Sequence, residues 1–412
     1  MPSRTTDQAG TIAPTLGFVL LVGSLTLLPA VSTDMYLPSL PDVATDLAST
    51  RAGAQLTITG MVLGGAFGQL VIGPFSDRVG RRRPVLIGVS LHGLFSLLCA
   101  MAPTINLLIA LRVSQGFVAA AASVVAIAMI RDRYAGAEAA RLMSRLMLVI
   151  GVAPLFAPSI GSLVAAHWGW RGVFVVLAAL AALLVSVVAA ALPETLPIER
   201  RARAGVGDLA RGYVALLRDR RFVALAVLPG LGMVVIISYV AGSPFVLQEE
   251  YGLSAGQFSG VFAIGGIGLV LGAQINAALV RRVGPARLLR ASVPAAAVAA
   301  GGLLAVAATH SGGVVALVAV LWVVLLLLGF MMSNASALAM TRHGERAGTA
   351  AATIGFLQAG VAGGVSPLVG VLGGDAVAMA SVILGGLVAA VLVLAFATPA
   401  YRRDGWLELS QG

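Results

Sequence analysis

There is no lysine anywhere in these 412 residues, and all 27 basic side chains are arginine. That absence excludes a phosphate-binding loop of the Gly-x-x-x-x-Gly-Lys-Ser/Thr type, and with it ATP-driven work by this chain alone. The single cysteine, Cys99, excludes an internal disulfide; set in an apolar run, it reads as a small buried hydrophobe. His92, His167, His310 and His343 are scattered without metal-ligand spacing, so no metal site is expected. No Ser-His-Asp or paired-carboxylate pattern invites an enzyme. Only 11% of the residues are charged, and they sit almost entirely in short segments.

What the chain has instead is apolar length. It is 59% hydrophobic with a mean hydropathy of +0.98, in repeated runs of about 20 residues, the length that crosses a bilayer as a helix. The reading is an all-α polytopic membrane protein with twelve spans, near 14–38, 52–74, 84–102, 105–130, 141–165, 171–192, 222–246, 256–280, 288–308, 312–335, 347–372 and 375–397. The first run mimics a secretory signal at Ala30-Val31-Ser32, but it continues into Asp34 and Tyr36 and follows a weakly charged start. It is therefore read as a span.

Arginine orients the spans. Gly73-Pro74-Phe75-Ser76-Asp77-Arg78-Val79-Gly80-Arg81-Arg82-Arg83 is a charged turn between two apolar runs, with Gly73 and Gly80 expected to bend the backbone at its ends. If it is cytoplasmic, alternation places 24 arginines on that side, two (Arg51 and Arg171) outside, and Arg112 within a span. Both termini then lie in the cytoplasm and the protein in the inner, or plasma, membrane. The net charge of +10 belongs to this topology; a lipid bilayer, and no nucleic acid, is the expected partner.

The polar stretch 197–221 divides the chain into 1–196 and 222–412, six spans each. A weak repeat supports the division: Gly68, Arg78-Val79-Gly80 and Arg83 recur 204 residues later as Gly272, Arg282-Val283-Gly284 and Arg287, with Arg281 in place of Asp77. Duplicated halves place a binding site at their interface, near the bilayer midplane. Gly60, Gly64 and Gly68, like Gly268 and Gly272, have the spacing of close helix packing.

Two charges inside spans invite a role. Asp34 and Arg112 each cost about 2.5–3.5 kcal/mol or more at a helix centre, so each needs a cavity or a partner; both fall in the outer part of the membrane, where they could be near one another. A carboxylate held in an apolar cavity exchanges protons near neutral pH. Met35, Tyr36, Phe156, Tyr239, Phe245, Phe262, Met331, Met332, Asn334, Phe356 and Gln358 are candidate lining for an adaptable pocket. Glu249 and Glu250 read as solvated loop acids. The run Gly151-Val152-Ala153-Pro154-Leu155-Phe156-Ala157-Pro158-Ser159-Ile160-Gly161 promises a pliable helix, echoed by Gly360, Gly363, Gly364, Pro367 and Gly370.

These motifs resemble a known family. Gly73…Asp77…Gly80-Arg81-Arg82, with Arg78 between, resembles the loop motif of the major facilitator superfamily, and Arg112…Gln115-Gly116 its fourth-helix motif. The fifth-span run, with Gly151, Pro154, Pro158 and Gly161, resembles the motif of its proton-driven drug antiporters. Thr33-Asp34-Met35-Tyr36-Leu37-Pro38, Ala120-Ala121-Ala122-Ser123-Val124-Val125, Arg131-Asp132, Trp170-Arg171, Pro193-Glu194-Thr195-Leu196 and Gly348-Thr349-Ala350 are similar to the bicyclomycin-resistance and chloramphenicol-exporter subfamily. The resemblance spans nearly the whole chain. It implies the major facilitator fold and a monomeric exporter of small amphiphilic drugs, driven by protons and without a cofactor. It implies a proton- and substrate-binding role for Asp34, with Arg112, Met35, Tyr36 and Gln115 beside it, and a lock on the outward-facing state at Asp77. Related multidrug facilitators carry a second acid earlier in the first helix, where this chain has Leu and Thr; neutral or zwitterionic cargo is expected. A proton-coupled carrier for a sugar or an amino-acid derivative is the alternative.

Overall fold

A computed structural model describes residues 16–134, 136–201, 206–341 and 347–398. Arg4, Arg203, Arg342, Arg346, Arg402 and Arg403, counted above for orientation, lie outside them. Within these residues the chain is helical and contains no strand. The helices are α1 (Leu16–Asp34), α2 (Leu40–Asp46), α3 (Arg51–Val79), α4 (Arg82–Ala100), α5 (Ile105–Arg133), α6 (Gly136–Ala191), α7 (Val206–Arg218), α8 (Arg220–Pro244), α9 (Ala255–Val283), α10 (Pro285–Thr309), α11 (Gly313–Met340), α12 (Ala347–Val365), α13 (Leu368–Val371) and α14 (Ala376–Leu392). At 56 residues, α6 would be about 84 Å long if straight, far more than one crossing. Gly169, at φ 64° and ψ −178°, breaks it into two limbs, 136–168 and 170–191. A β-carbon is strained at that φ, so glycine marks the turn. The limbs supply the fifth and sixth spans; no polar loop separates them.

The helices pair in the same way twice. α3 lies along α5, α4 along the second half of the hairpin in α6, and α1 against α5 and α6; later in the chain α9 lies along α11, α10 along α14, and α8 against α11 and α12. The two sets meet through α3 against α12 and α6 against α9. Glycine makes the closest crossings. A β-carbon on Gly64 would overlap the Val113 carbonyl, and one on Gly68 the Phe117 carbonyl. A β-carbon on Gly272 would overlap the Leu326 carbonyl. The 204-residue echo of Gly68 in Gly272 is thus an echo in space: each glycine seats its helix on the backbone of a partner.

One sequence expectation needs correction, and a second needs an addition. Gly73 does not turn the chain. α3 runs through Pro74 to Val79, and the break comes only at Gly80, with φ 99°. Arg81, just past that break, reaches back to Asp77 in the last turns of α3 at 2.6 Å. Glu249 and Glu250 are exposed, as expected, but each also makes a specific contact. Glu249 pairs with Arg51 at 2.6 Å, and Glu250 accepts from the backbone N–H of Ala376, at the start of α14, at 2.8 Å.

Candidate functional site: an acid in a two-sided cavity

α1 ends at Asp34, and the chain turns at once through Leu37-Pro38-Ser39 into α2. That turn leaves the Asp34 side chain at the negative, carbonyl end of its own helix, the wrong pole for an anion. Asp34 is 7% exposed and makes no hydrogen bond or ion pair among the described residues. It faces a cavity of about 370 Å³ lined by α1, α3, α5, α8 and α12. Thr33, Gln69, Ser123 and Gln358 are its other polar walls; Met61, Met233, Ile236 and Ile237 are among the apolar ones. Residues before 197 and after 221 both contribute.

Arg112 is not in this cavity and does not pair with Asp34. It is fully buried between α1 and α4. One terminal nitrogen donates to the Ser32 carbonyl at 3.2 Å and to Gln115 Oε1 at 2.8 Å. Gln115 Nε2 donates to Ser96 Oγ at 2.8 Å, and Ser96 donates to the His92 carbonyl at 2.8 Å. Ser32 Oγ donates to the Leu28 carbonyl at 2.7 Å, so His92 Nε2, 2.8 Å away, donates to Ser32 Oγ. The ring of contacts ties α4 and α5 to the last turn of α1, two residues from Asp34. The guanidinium lies 5.0 Å from the Tyr36 ring centre and 5.6 Å from that of Phe174, and their π-faces partly replace its lost hydration. Its Nε and second terminal nitrogen are buried without hydrogen-bond partners.

Of the residues marked in the sequence, then, Asp34 and Gln358 line the cavity. Arg112 and Gln115 form the network behind it. Met35 and Tyr36, 1% and 0% exposed, are packed beneath: Gly161 is pressed onto the Met35 carbonyl, and Tyr36 lies against Phe174. The wider lining set is corrected. Phe156 is 61% exposed on the outer surface of its helix. Tyr239, Phe245, Phe262 and Met331 are buried in packing, and Asn334 is bonded to Asn276 at 2.6 Å. Met332 packs beside Gly232, and Phe356 stands edge-on to Phe67. Side-chain type alone did not say which face each helix turns inward. Gln69 and Ser123 escaped notice for the same reason. His92, dismissed for lacking metal spacing, is a network member; its helical register with Ser96 was the available signal.

Two further clusters of contacts lie at the two ends of the bundle. Arg81, 5% exposed, donates to Asp77, Ser76 and Asp132 at 2.6, 2.7 and 2.7 Å. Glu194 accepts from the backbone N–H groups of Arg81, Arg82, Thr195 and Leu196. Burial opposes its charge, yet these donors outweigh that and hold the carboxyl below its ordinary value. Arg82 donates to the Ala189 carbonyl at 2.6 Å. Arg131-Asp132, Pro193-Glu194-Thr195 and the loop motif, far apart in sequence, are therefore one assembly, and Arg78 lies in the last turn of α3 beside it. Among Gly151, Pro154, Pro158 and Gly161, all in the first limb of α6, Pro154 adjoins Gly266 of α9. At the opposite end Arg51 bridges the halves: besides Glu249 it reaches the Gly373 carbonyl at 3.2 Å. Gln248 reaches the Pro38 carbonyl at 3.1 Å, and Gly370 is wedged against Ala52.

Two sets of helices that pair alike and share one cavity have the architecture of a membrane transporter built from repeated halves. The sequence profile of the Major Facilitator Superfamily matches residues 22–367, and the chain belongs to that family. It is 37% identical over 369 residues to the MFS-type transporter YdgK of Bacillus subtilis, covering 89% of this chain and 92% of that one. It is 29% identical to a bicyclomycin resistance protein homolog of Haemophilus influenzae, over 92% of this chain and 95% of that one. It is 30% identical over 247 residues to the multidrug resistance protein MdtL of Escherichia coli O157:H7, covering 60% and 62%. Among solved structures, the nucleoside transporter NupG superposes with a TM-score of 0.76 at 15% identity, covering 93% of this chain and 100% of that one. A D-xylose-proton symporter superposes with a TM-score of 0.74 at 16% identity, covering 94% and 99%. At those identities the likeness is one of fold. The protein is a multi-pass membrane transporter and not an enzyme.

Proposed function

We propose that this transporter exports small, neutral or zwitterionic amphiphilic drugs in exchange for protons, as a monomer of the inner membrane without a cofactor. One observation carries the reading: Asp34 has no hydrogen-bond or ion-pair partner among the described residues and faces a mostly apolar cavity walled by both halves. Relatives named for bicyclomycin and multidrug resistance support the choice of cargo. Most of the cavity wall is apolar, with Met61, Met233, Ile236, Ile237 and Val240 facing a few polar groups, which suits amphiphiles better than sugars. In this reading the halves are 1–196 and 222–412, joined by the linker 197–221, with Arg-rich segments and both termini cytoplasmic. The Arg51–Glu249 end is then periplasmic and shut, so the cavity serves the cytoplasmic side. Protonation of Asp34 and cargo occupancy exclude each other in one space. Arg112 and Gln115 hold the α1 end that carries the acid. Asp77 helps to lock the outward-facing state, and the proline-glycine run of α6 yields as the halves rock.

The energetics suffice. One pH unit supplies about 1.4 kcal/mol per proton, and 100 mV about 2.3 kcal/mol per charge. One proton per cycle therefore sustains a gradient on the order of a few hundredfold. Everted vesicles with an imposed pH gradient test the assignment. Asp34→Asn is expected to abolish gradient-driven drug uptake while leaving the protein inserted; uptake by Asp34→Asn that still follows the pH gradient would remove Asp34 from its role.

A further inference from the structure

The linker helix α7 is short, 13 residues, and lies between two membrane crossings, the second limb of α6 and α8. Its inner edge is packed: Leu216 is 1% exposed, and Gly212 lies beside Thr349 of α12. Next to that edge, and turned away from the protein, Val214 and Leu217 are 46% and 50% exposed. At about 100° per residue, Arg211 and Arg218 stand together about 40–60° beyond Val214, along the border of this apolar strip. A bare apolar strip with cations at its margin is how a helix lies in a membrane surface, side chains in the acyl boundary and guanidinium groups at the headgroups. The surroundings carry the same sign: 197–221 holds seven arginines against three acids. One of those acids, Asp219, is occupied in capping α8.

We infer that the Val214–Leu217 face of α7, bordered by Arg211 and Arg218, docks into the bilayer surface and selects anionic phospholipid headgroups there. The charge complementarity names the occupant. Because α7 also touches α8 and α12, a bound lipid would steady the start of the second half. The inference needs only the membrane location of the chain, so it stands or falls apart from proton coupling and cargo.

The test uses the full-length protein with Cys99 replaced by Ser and an environment-sensitive fluorophore at Leu217→Cys or, on the opposite face, Ala215→Cys. In vesicles of phosphatidylethanolamine and phosphatidylglycerol, a nitroxide near the acyl-chain boundary is expected to quench the Leu217 label by about half or more. Aqueous iodide should reach the Ala215 label instead. Iodide quenching both labels equally would overturn the docking. Spin-labelled phosphatidylglycerol should quench the Leu217 label at least about twofold more strongly than spin-labelled phosphatidylcholine at equal mole fraction. That preference should vanish in Arg211→Gln/Arg218→Gln. Equal quenching by the two lipids with both arginines present would overturn the anionic selection.

Discussion

The α3–α5 crossing and its counterpart, α9 against α11, share a backbone plan and differ in what they bury. In the first, α5 also carries Arg112 and Gln115 against α4 and α1, where His92, Ser96 and Ser32 complete a chain of hydrogen bonds around the cation. The second encloses one neutral pair, Asn334 donating to Asn276 at 2.6 Å and to its own Phe330 carbonyl at 2.9 Å. Beside it Tyr239 stacks on Phe262, ring centres 4.9 Å apart. A duplicated scaffold has kept its glycine contacts in both copies and its charge in one. Charge is the expensive component in a bilayer, so its confinement to one half agrees with the proposal that proton coupling is housed there.

The contrast is most open to attack at Arg112. Arg112→Leu leaves the Ser32 carbonyl and Gln115 Oε1 without their buried donor, at about 1–3 kcal/mol each. Arg112→Leu is therefore expected to lower drug transport by on the order of a hundredfold or more, because the last turn of α1 loses its anchor. In the other half, Asn334→Leu leaves Asn276 unsatisfied at about 1–3 kcal/mol, and the double change Asn276→Leu/Asn334→Leu should recover most of it. Transport rates at matched protein levels in vesicles decide this. An Arg112→Leu protein that transports normally, or an asparagine pair that cannot be replaced, would reverse the assignment of chemistry to one half.

The glycines sharpen the comparison from the other side, because there the halves should behave alike. Gly68→Val and Gly272→Val each drive a side chain into a facing carbonyl. Overpacking of that kind costs about 1–3 kcal/mol where neighbours can give, and backbone cannot. Both variants should show a similar drop in folded yield, read by monodisperse recovery in detergent. A large loss from one alone would mean that the two crossings differ in packing as well as in charge.

Glu194 has no equivalent among the described residues of the second half. Its carboxyl is held below the ordinary glutamate range, so its contribution is present above the unfolded value and is lost as pH falls through the folded one. Glu194→Gln should lower the melting temperature of the detergent-solubilised protein by about 1–2 °C near pH 7. The gap should close on acidification toward and below the ordinary glutamate value. A gap that persists in acid would show that shape, not charge, holds the start of α4.

How much of this could be read in advance follows from what each feature needs. Asp34 and Arg112 stood out because a lone charge in an apolar run is costly wherever the helix turns. Gly68 and Gly272 stood out because a repeat is a property of order along the chain. His92, Ser32, Ser96 and Gln115 become a network only when three helices from separate runs come together, and Gln69 and Ser123 are lining only for the rotation that α3 and α5 adopt. Phe156 failed as a lining residue because α6 is apolar all round and gives no periodicity to choose a face. The fifth and sixth spans, joined through Gly169, read as two in the sequence because no single crossing is that long.

The smallest effect belongs to the seal that joins the halves. Arg51 and Glu249 are 39% and 33% exposed, and exposed pairs contribute about 0–1 kcal/mol. Arg51→Ala should therefore shift the balance between the two access states by no more than about fivefold, with the Gly370–Ala52 contact left to hold the end closed. Charge reversal separates electrostatics from packing. Arg51→Glu alone should open this end further than Arg51→Ala, since it sets two carboxylates together, and Arg51→Glu/Glu249→Arg should return it toward the starting balance. Spin-label distances across the 51–249 end, measured at two salt concentrations, report both. The recovery should weaken at high salt, where exposed charges are screened. If Arg51→Ala locked the transporter open, the seal would be electrostatic after all, and the close apolar approach of α3 to the 366–374 segment would count for little.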